Sequence, residues 1–235
     1  MNSLRFSVVI PCYNEGASLL MLIDQAEYIA QQGQGEFIFV NNGSVDDSAA
    51  IFQEASKRGF KVVNLETNQG YGGGILAGLE LASSDIVGWT HADHQTPLGD
   101  VLLATEMFTT DKVFVKGFRR GRPTSSRFFS AGMGVFETIL FRTPLREINA
   151  QPTLFHKSLQ ISWEPPSDFS LDLYAYVLAK RKGFLIKRFD VSFKDRLHGV
   201  SSWNTSFASK SNFIKRTFRY SLKLKRELRN AAYPS

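Results

Sequence analysis

The chain has 235 residues, 43% of them hydrophobic, with 28 Lys and Arg against 22 Asp and Glu, a formal net charge of +6. That is enough for one large α/β domain or two small ones with a substantial core, and it excludes an intrinsically disordered chain. A single cysteine, Cys12, excludes an internal disulfide and a cysteine-built zinc site and suits a reducing compartment.

No run approaches the roughly 18 apolar residues of a membrane span. The apolar stretch 6–12 is too short for a signal peptide and is interrupted at once by Asn14 and Glu15.

Taken in order, the first half alternates two periodicities. Phe6–Ile10 is a β-branched run read as a strand, and 17–32 repeats apolar residues at helical spacing. Glu36–Val40 reads as a second strand, 46–57 as a helix capped by Asp46 or Asp47, and Val62 and Val63 mark a third strand. Gly74–Ala82 reads as a helix, Ile86–Thr90 as a fourth strand, and 98–108, led by Pro97, as another helix. Such β-α-β-α repetition predicts a parallel sheet with right-handed crossovers. No dinucleotide fingerprint follows the first strand; Pro11–Gly16 stands in its place, which weakens an oxidoreductase reading.

Three of these strands end in polar clusters: Tyr13, Asn14 and Glu15; Asn41, Asn42, Gly43 and Ser44; and His91, Asp93 and Gln95. Each alone is ordinary turn or cap chemistry, and Asp93 or Thr96 would serve as a helix cap. Parallel strands, however, carry all three clusters to one edge, where open α/β sheets hold ligands. Asn68–Gly74 adds four glycines directly before the helix expected at Gly74. Glycine lets backbone amides approach a ligand and a helix N-terminus favours anions, although a plain flexible loop fits the same residues. The stretch lacks the Lys-Ser/Thr ending of a nucleotide-hydrolysing phosphate loop.

The second half is less regular. Val113–Gly117 reads as a strand followed by Arg119, Arg120, Arg122 and Arg127, either a solvated surface or a clamp for phosphate. Ser130–Phe141 and Ser170–Ala179 read as helices, the second with Asp168 as a candidate cap, and Phe184–Phe193 as a strand or hairpin. From Ser209 onward the chain is an amphipathic helix; Lys210 to Arg229 holds eight Lys and Arg and one acid, Glu227. That pattern suits either an anionic membrane face or packing on the protein body. Nucleic-acid binding would want a basic face crossed by aromatics, whereas the basic excess here sits largely in one terminal helix, so no nucleic-acid partner is expected.

Six stretches, Val8–Glu15, Val40–Ser44, Asn68–Gly74, His91–Gln95, Ile148–Pro152 and Arg196–Ser201, occur in the order found in family-2 glycosyltransferases of the GT-A fold. The chain resembles that family over residues 6 to about 204, most of all the branch with dolichyl-phosphate mannose synthase and bacterial polyprenyl-phosphate and surface-glycan enzymes. The resemblance implies an α/β GT-A domain over 1–204 and a basic helical tail over 205–235.

It also implies roles for residues. Pro11, Tyr13, Glu15 and Asn42 would line the base and ribose of a nucleotide-sugar donor, with Gly70, Gly74, Ala92, Asp93 and Arg119 completing the donor site. Asp93, with Gln95 and His91, would hold Mg²⁺ or Mn²⁺, and Arg119 and Arg196 would hold phosphates. The acceptor would be a lipid phosphate or a glycan, and the enzyme would work in the cytoplasm, peripherally on the inner membrane face. Two departures stand out: His91 replaces the family's usual Asp, and Asn41–Asn42 replaces its usual Asp pair. One carboxylate still suffices for a hard cation that also binds a diphosphate, and imidazole tilts the site toward Mn²⁺.

A sugar hydroxyl as acceptor would require a carboxylate base across the crevice from Asp93, for which Asp172 and Glu147 are the candidates. A lipid phosphate is already ionised and requires none. A non-catalytic nucleotide-sugar-binding protein of the same fold is the competing reading.

Overall fold

In a computed structural model, which describes residues 5–121, 124–161, 163–193 and 207–230 without the side chains of 124–129, 207–213 and 229–230, the expected alternation appears. β1 (Ser7–Cys12), α1 (Gly16–Gly33), β2 (Glu36–Asn42), α2 (Ser48–Lys57), β3 (Lys61–Leu65), α3 (Gly70–Leu79) and β4 (Ile86–Trp89) form the first half. Next come α4 (Asp100–Glu106), β5 (Val113–Arg120), α5 (Thr124–Phe141) and β6 (Thr153–His156). The last elements are α6 (Leu171–Arg181), β7 (Leu185–Ser192) and α7 (Phe207–Asn230).

One seven-stranded sheet runs in the order β3-β2-β1-β4-β6-β5-β7. β1 is parallel to β2 and β4, β2 to β3, and β5 to β7; β6 alone is antiparallel, between β4 and β5. Because β6 opposes both neighbours, β4 and β5 point the same way. The C-terminal ends of β1, β2, β4 and β5 and the entry to β6 therefore share one edge.

Side chains alternate across β1, so the sheet separates two apolar layers. Val8 and Ile10 pack with Leu19, Ile23, Phe52 and Val101 of the helices on one face. Val9 packs on the other with Ile75, Trp89, Phe155, Tyr174 and Leu178.

Three elements differ from the sequence reading for identifiable reasons. α3 begins at Gly70 rather than Gly74, so the glycines form its first turn instead of a preceding loop. Added Cβ atoms at Gly72 would lie 2.6 Å from the Pro166 carbonyl oxygen and 2.7 Å from that of Asp168, and the Gly73 amide donates to the Ser167 carbonyl at 2.7 Å. The run thus lets α3 press against the 166–168 backbone, a tertiary gain that outweighs glycine's poor helix propensity. Second, the stretch Thr153–His156, assigned no element from sequence, is the antiparallel β6. Third, 184–193 is a single strand and no hairpin, because it pairs along its length with β5.

α7 packs its inner face on the body: Ser221, Leu224 and Leu228 are buried, and Leu224 and Leu228 join the cluster of Trp89 and Phe155. Arg181 Nη1 donates to the Leu228 carbonyl at 2.8 Å. The described part of the stretch expected as a tail therefore shares the core of the α/β body. Its outer face carries exposed Lys215, Arg216, Arg219, Lys223, Lys225 and Arg226, with Phe218 and Leu222 exposed among them.

Candidate functional site

The strand-end clusters meet as the parallel topology requires. The loop after β1 is tied to that after β2: the Asn14 amide donates to Ser44 Oγ at 3.1 Å, and the Val45 amide to Asn14 Oδ1 at 2.9 Å. Asn14 takes a φ of 56°, a left-handed turn that asparagine tolerates. Tyr13 is exposed, and Pro11 and Glu15 are half-buried beside it.

Asn42 is buried and spends its amide on the start of α3. Its Nδ2 donates to the Gly70 carbonyl at 2.9 Å, while its Oδ1 accepts from the Gln69 amide at 2.9 Å. An Asp at this position has no Nδ2 with which to bond the Gly70 carbonyl. Gly74 sits against the same side chain, its missing Cβ 3.0 Å from Asn42 Nδ2 and 3.3 Å from Pro11 Cβ. Gly70 holds the turn, with a φ of 77°.

The polar stretch after β4 folds into a tight turn of its own. Asp93, 8% exposed, accepts the Gln95 amide on Oδ1 at 3.2 Å, and His94 adopts a φ of 56°. α4 starts only at Asp100, so Asp93 and Thr96 are not its caps. Ala92 is buried, while His91 and Gln95 are half-buried on either side of Asp93.

Among the described residues no group of three or more His, Cys, Asp and Glu is placed to hold a metal. One carboxylate flanked by an imidazole and a carboxamide instead fits a divalent cation that takes its other ligands from a diphosphate.

Behind this turn lies a buried polar network that the sequence did not disclose. Asp172, the first-turn acid of α6, is 1% exposed. Its Oδ1 accepts from Gln151 Nε2 at 3.1 Å, Lys116 Nζ at 3.2 Å and Trp89 Nε1 at 3.3 Å. Its Oδ2 accepts from the Tyr71 hydroxyl at 2.9 Å. Lys116, fully buried on β5, also donates to Thr153 Oγ1 at 2.7 Å. Burial lowers the Lys116 pKa to about 8 even though Asp172 pulls it upward. Burial, and then the neighbouring Asp172 charge, push the Tyr71 hydroxyl well above its usual value.

A general base must reach the proton that it removes. Enclosed by these donors, Asp172 is arranged to position others rather than to meet an acceptor. What it positions is visible: the Tyr71 ring lies 5.5 Å from His91 on one side and 5.3 Å from Phe169 on the other. A lysine in the apolar run Val113–Gly117 was the one available signal of this network.

At the same sheet edge, beyond Phe169, an open cleft lies between α5, the start of α6 and α7. Arg119, Asn149, Phe169, Glu137, Ser130 and Thr217 are among its lining residues. Arg119 is half-buried; its Nε donates to Glu147 Oε2 at 2.6 Å, and its guanidinium lies 5.5 Å from the Phe193 ring centre. Glu147, the other base candidate, is thereby paired. Arg120 pairs with Asp190 on the surface at 3.0 Å. Arg122, the Arg127 side chain and Arg196 lie outside the described residues. Asp168 is not the cap of α6, which is Ser170; it stands two residues earlier, its Oδ1 accepting the Ser170 amide at 2.8 Å in a turn that leads into the helix.

Comparison with known proteins gives the chain's family and fold. The family model described as Glycosyl transferase family 2 matches residues 7–161, more than half of the chain. The chain is 40% identical over 96 residues to an undecaprenyl-phosphate 4-deoxy-4-formamido-L-arabinose transferase of Pseudomonas savastanoi pv. phaseolicola, covering 39% of this chain and 28% of that protein. It is 35% identical over 124 residues to the protein of the same name from Aeromonas hydrophila subsp. hydrophila, covering 51% of this chain and 38% of that one. The chain thus spans well under half the length of these relatives.

Among solved structures it is similar to glucosyl-3-phosphoglycerate synthase from Mycobacterium tuberculosis in complex with Mn²⁺, UDP and glucosyl-3-phosphoglycerate. The TM-score is 0.70 at 19% identity, covering 94% of this chain and 79% of that one. A second crystal structure of that synthase, with Mn²⁺, UDP-glucose and phosphoglyceric acid, gives a TM-score of 0.73 at 19% identity over the same shares. At such identity the likeness is one of fold.

Proposed function

From the premise that the chain belongs to glycosyl transferase family 2 and has the GT-A fold, we propose that it moves a sugar from a nucleotide-diphosphate donor to a polyprenyl-phosphate or glycan acceptor. The carrying observation is the convergence on one sheet edge of the Tyr13–Glu15, Asn42 and His91–Gln95 segments, with Arg119 on the same edge. Pro11, Tyr13 and Glu15 face the nucleoside in this reading, with Asn42 behind them holding the start of α3. Gly70, Gly74 and Ala92 provide a close-packed floor, and Arg119 and Arg196 meet phosphate oxygens.

The acceptor oxygen bonds to the anomeric carbon as the bond from that carbon to the diphosphate breaks, and negative charge builds on the departing diphosphate. A lipid phosphate brings no proton, while a sugar hydroxyl passes its proton to the departing diphosphate or to water. Asp93, with Gln95 and His91, would hold Mg²⁺ or Mn²⁺, which supplies positive charge against that diphosphate. Arg119, held in place by Glu147, offers a planar cation to the same group. The relatives named for transfer to undecaprenyl phosphate and the Mn²⁺ held by the solved synthase support this reading.

The test is a nucleotide-sugar panel in which donor binding is read as a rise in melting point, followed by donor turnover with and without Mn²⁺. Binding without turnover at any metal concentration would favour the non-catalytic reading instead. His91→Asp restores a second carboxylate beside Asp93 at the loss of a ring contact with Tyr71. We expect it to retain activity and to reach half-maximal rate at lower Mn²⁺. A folded His91→Asp protein without activity would give the imidazole a role of its own.

The outer faces of α5 and α7 support peripheral attachment to an anionic membrane. Val135 and Ile139 are exposed on α5, Phe218 and Leu222 on α7, and Phe136 and Phe218 touch with ring centres 3.9 Å apart. The α7 cations stand around that apolar patch. No helix among the described residues is long and apolar enough to cross a membrane.

Each cation near an anionic leaflet contributes up to ~1 kcal/mol, so attachment should fade with salt. The full chain is expected to co-sediment with phosphatidylserine liposomes at low salt and to be released at high salt. Truncation after Asn204 should instead destabilise the fold, because it removes buried Leu224 and Leu228. A full chain that ignores the liposomes at low salt overturns the membrane reading.

A further inference from the structure

Resting on the glycosyltransferase reading, we infer that the cleft between α5, α6 and α7 receives its acceptor by sugar hydroxyls, with Glu137 accepting a hydrogen bond from one of them. Glu137 is 1% exposed at the cleft wall. Its Oε1 accepts from the Ser221 hydroxyl at 2.6 Å, but its Oε2 is buried with no hydrogen-bond partner among the described residues. Buried polar atoms are nearly always partnered, because an orphaned one forfeits the hydrogen bond that water gave it.

A purely structural role does not account for this acid. The single Ser221 hydroxyl proton has the Thr217 carbonyl at 2.9 Å as an alternative acceptor, so Ser221 does not depend on Glu137. An apolar side chain of similar volume would join α5 to α7 at least as well. A ligand that brings a hydrogen-bond donor into the cleft completes the carboxyl.

The rest of the lining identifies the donor. Asn149, Ser130 and Thr217 contribute one carboxamide and two hydroxyls, and Phe169 contributes an aromatic face. Hydroxyls bond to the former groups, and the C–H face of a sugar ring packs on the latter. A phosphate head fits less well. Arg119, the one cation among the described lining residues, is the group assigned above to the donor diphosphate, and Glu137 adds a carboxyl to the wall. Burial places the Glu137 carboxyl at about 7, so a charged acceptor form is accessible near neutral pH.

The position is apt for transfer. Phe169 abuts Tyr71, whose ring lies 5.5 Å from His91, so two ring contacts link the cleft wall to the segment that carries Asp93. The hydroxyls belong either to a free glycan or to a sugar carried on a lipid.

The test uses the full chain and three probe classes, with saturable binding read by calorimetry or ligand-observed NMR. These are methyl glycosides of common hexoses, their octyl glycosides below the micelle concentration, and farnesyl phosphate. The glycosides are expected to bind, and Glu137→Met to weaken them at least tenfold while leaving the melting-point rise with nucleotide sugar unchanged. Asn149→Ala should weaken the same probes. Tighter binding of octyl than methyl glycosides identifies a lipid-carried sugar; equal binding identifies a free glycan.

The inference is overturned if no glycoside binds saturably, if Glu137→Met binds the glycosides like wild type, or if farnesyl phosphate displaces them at lower concentration. The absence of any nucleotide-sugar melting shift in the wild type sinks the transferase reading instead, and that is a separate measurement.

Discussion

Asp93→Asn is expected to lower turnover by at least ~100-fold while the melting point stays near that of wild type. Asparagine keeps the shape of the side chain and an oxygen to accept the Gln95 amide, now 3.2 Å from Asp93 Oδ1, so the turn after β4 survives. What disappears is the negative charge that would hold a divalent cation against the diphosphate. A factor of ~100 corresponds to about 2.7 kcal/mol of transition-state stabilisation, the usual magnitude for one removed electrostatic stabiliser. The check is donor turnover with saturating Mn²⁺ beside a thermal melt of the same sample. A folded variant with near-normal turnover would sink the assignment. Because α4 begins at Asp100, a loss of activity cannot be attributed to helix capping.

The same residues show why some of this site was readable and some was not. β1, β2 and β4 are short runs rich in β-branched residues, each ending in polar side chains, and the parallel pairing brings those ends together. Nothing beyond local pattern and topology was needed there.

α3 defeated the same reasoning. Four glycines argue against a helix until the backbone of 166–168, almost a hundred residues away, is brought against them. β6 was missed because it is four residues long, follows Pro152 and enters the sheet between β4 and β5, out of chain order. Asp172 is legible as an acid in the first turn of a helix, but its burial depends on Lys116, Gln151 and Tyr71 from three other elements or loops. Glu137 looks like a solvated helix residue until α7 covers it.

The Lys116–Asp172 pair should dominate stability in an asymmetric way. Asp172→Leu leaves the Lys116 ammonium fully buried with Thr153 Oγ1 as its remaining described hydrogen-bond partner. Breaking one side of a buried pair typically costs roughly 3–5 kcal/mol. At roughly 2–4 °C per kcal/mol for a chain of this size, the melting point should fall by about 10 °C.

Removing both charges, as Lys116→Met with Asp172→Leu, should recover most of that loss, because the desolvation cost disappears with the attraction. pH gives a second readout. Lys116 has a folded pKa of about 8 against a reference value of 10.5. Between those values the unfolded chain binds more protons at this group, so the wild type gains stability relative to the double variant as pH rises through that window.

Activity should not follow stability. Without Asp172 the Tyr71 hydroxyl loses its acceptor and keeps only the Gln151 Nε2 donor at 2.9 Å, so the ring between His91 and Phe169 is held less firmly. The double variant should therefore be folded yet slow, with the defect in turnover exceeding that in donor affinity. Full activity in a stable double variant would show the network to be packing alone. A double variant as unstable as Asp172→Leu would mean that the charges are worth more to the fold than their burial costs.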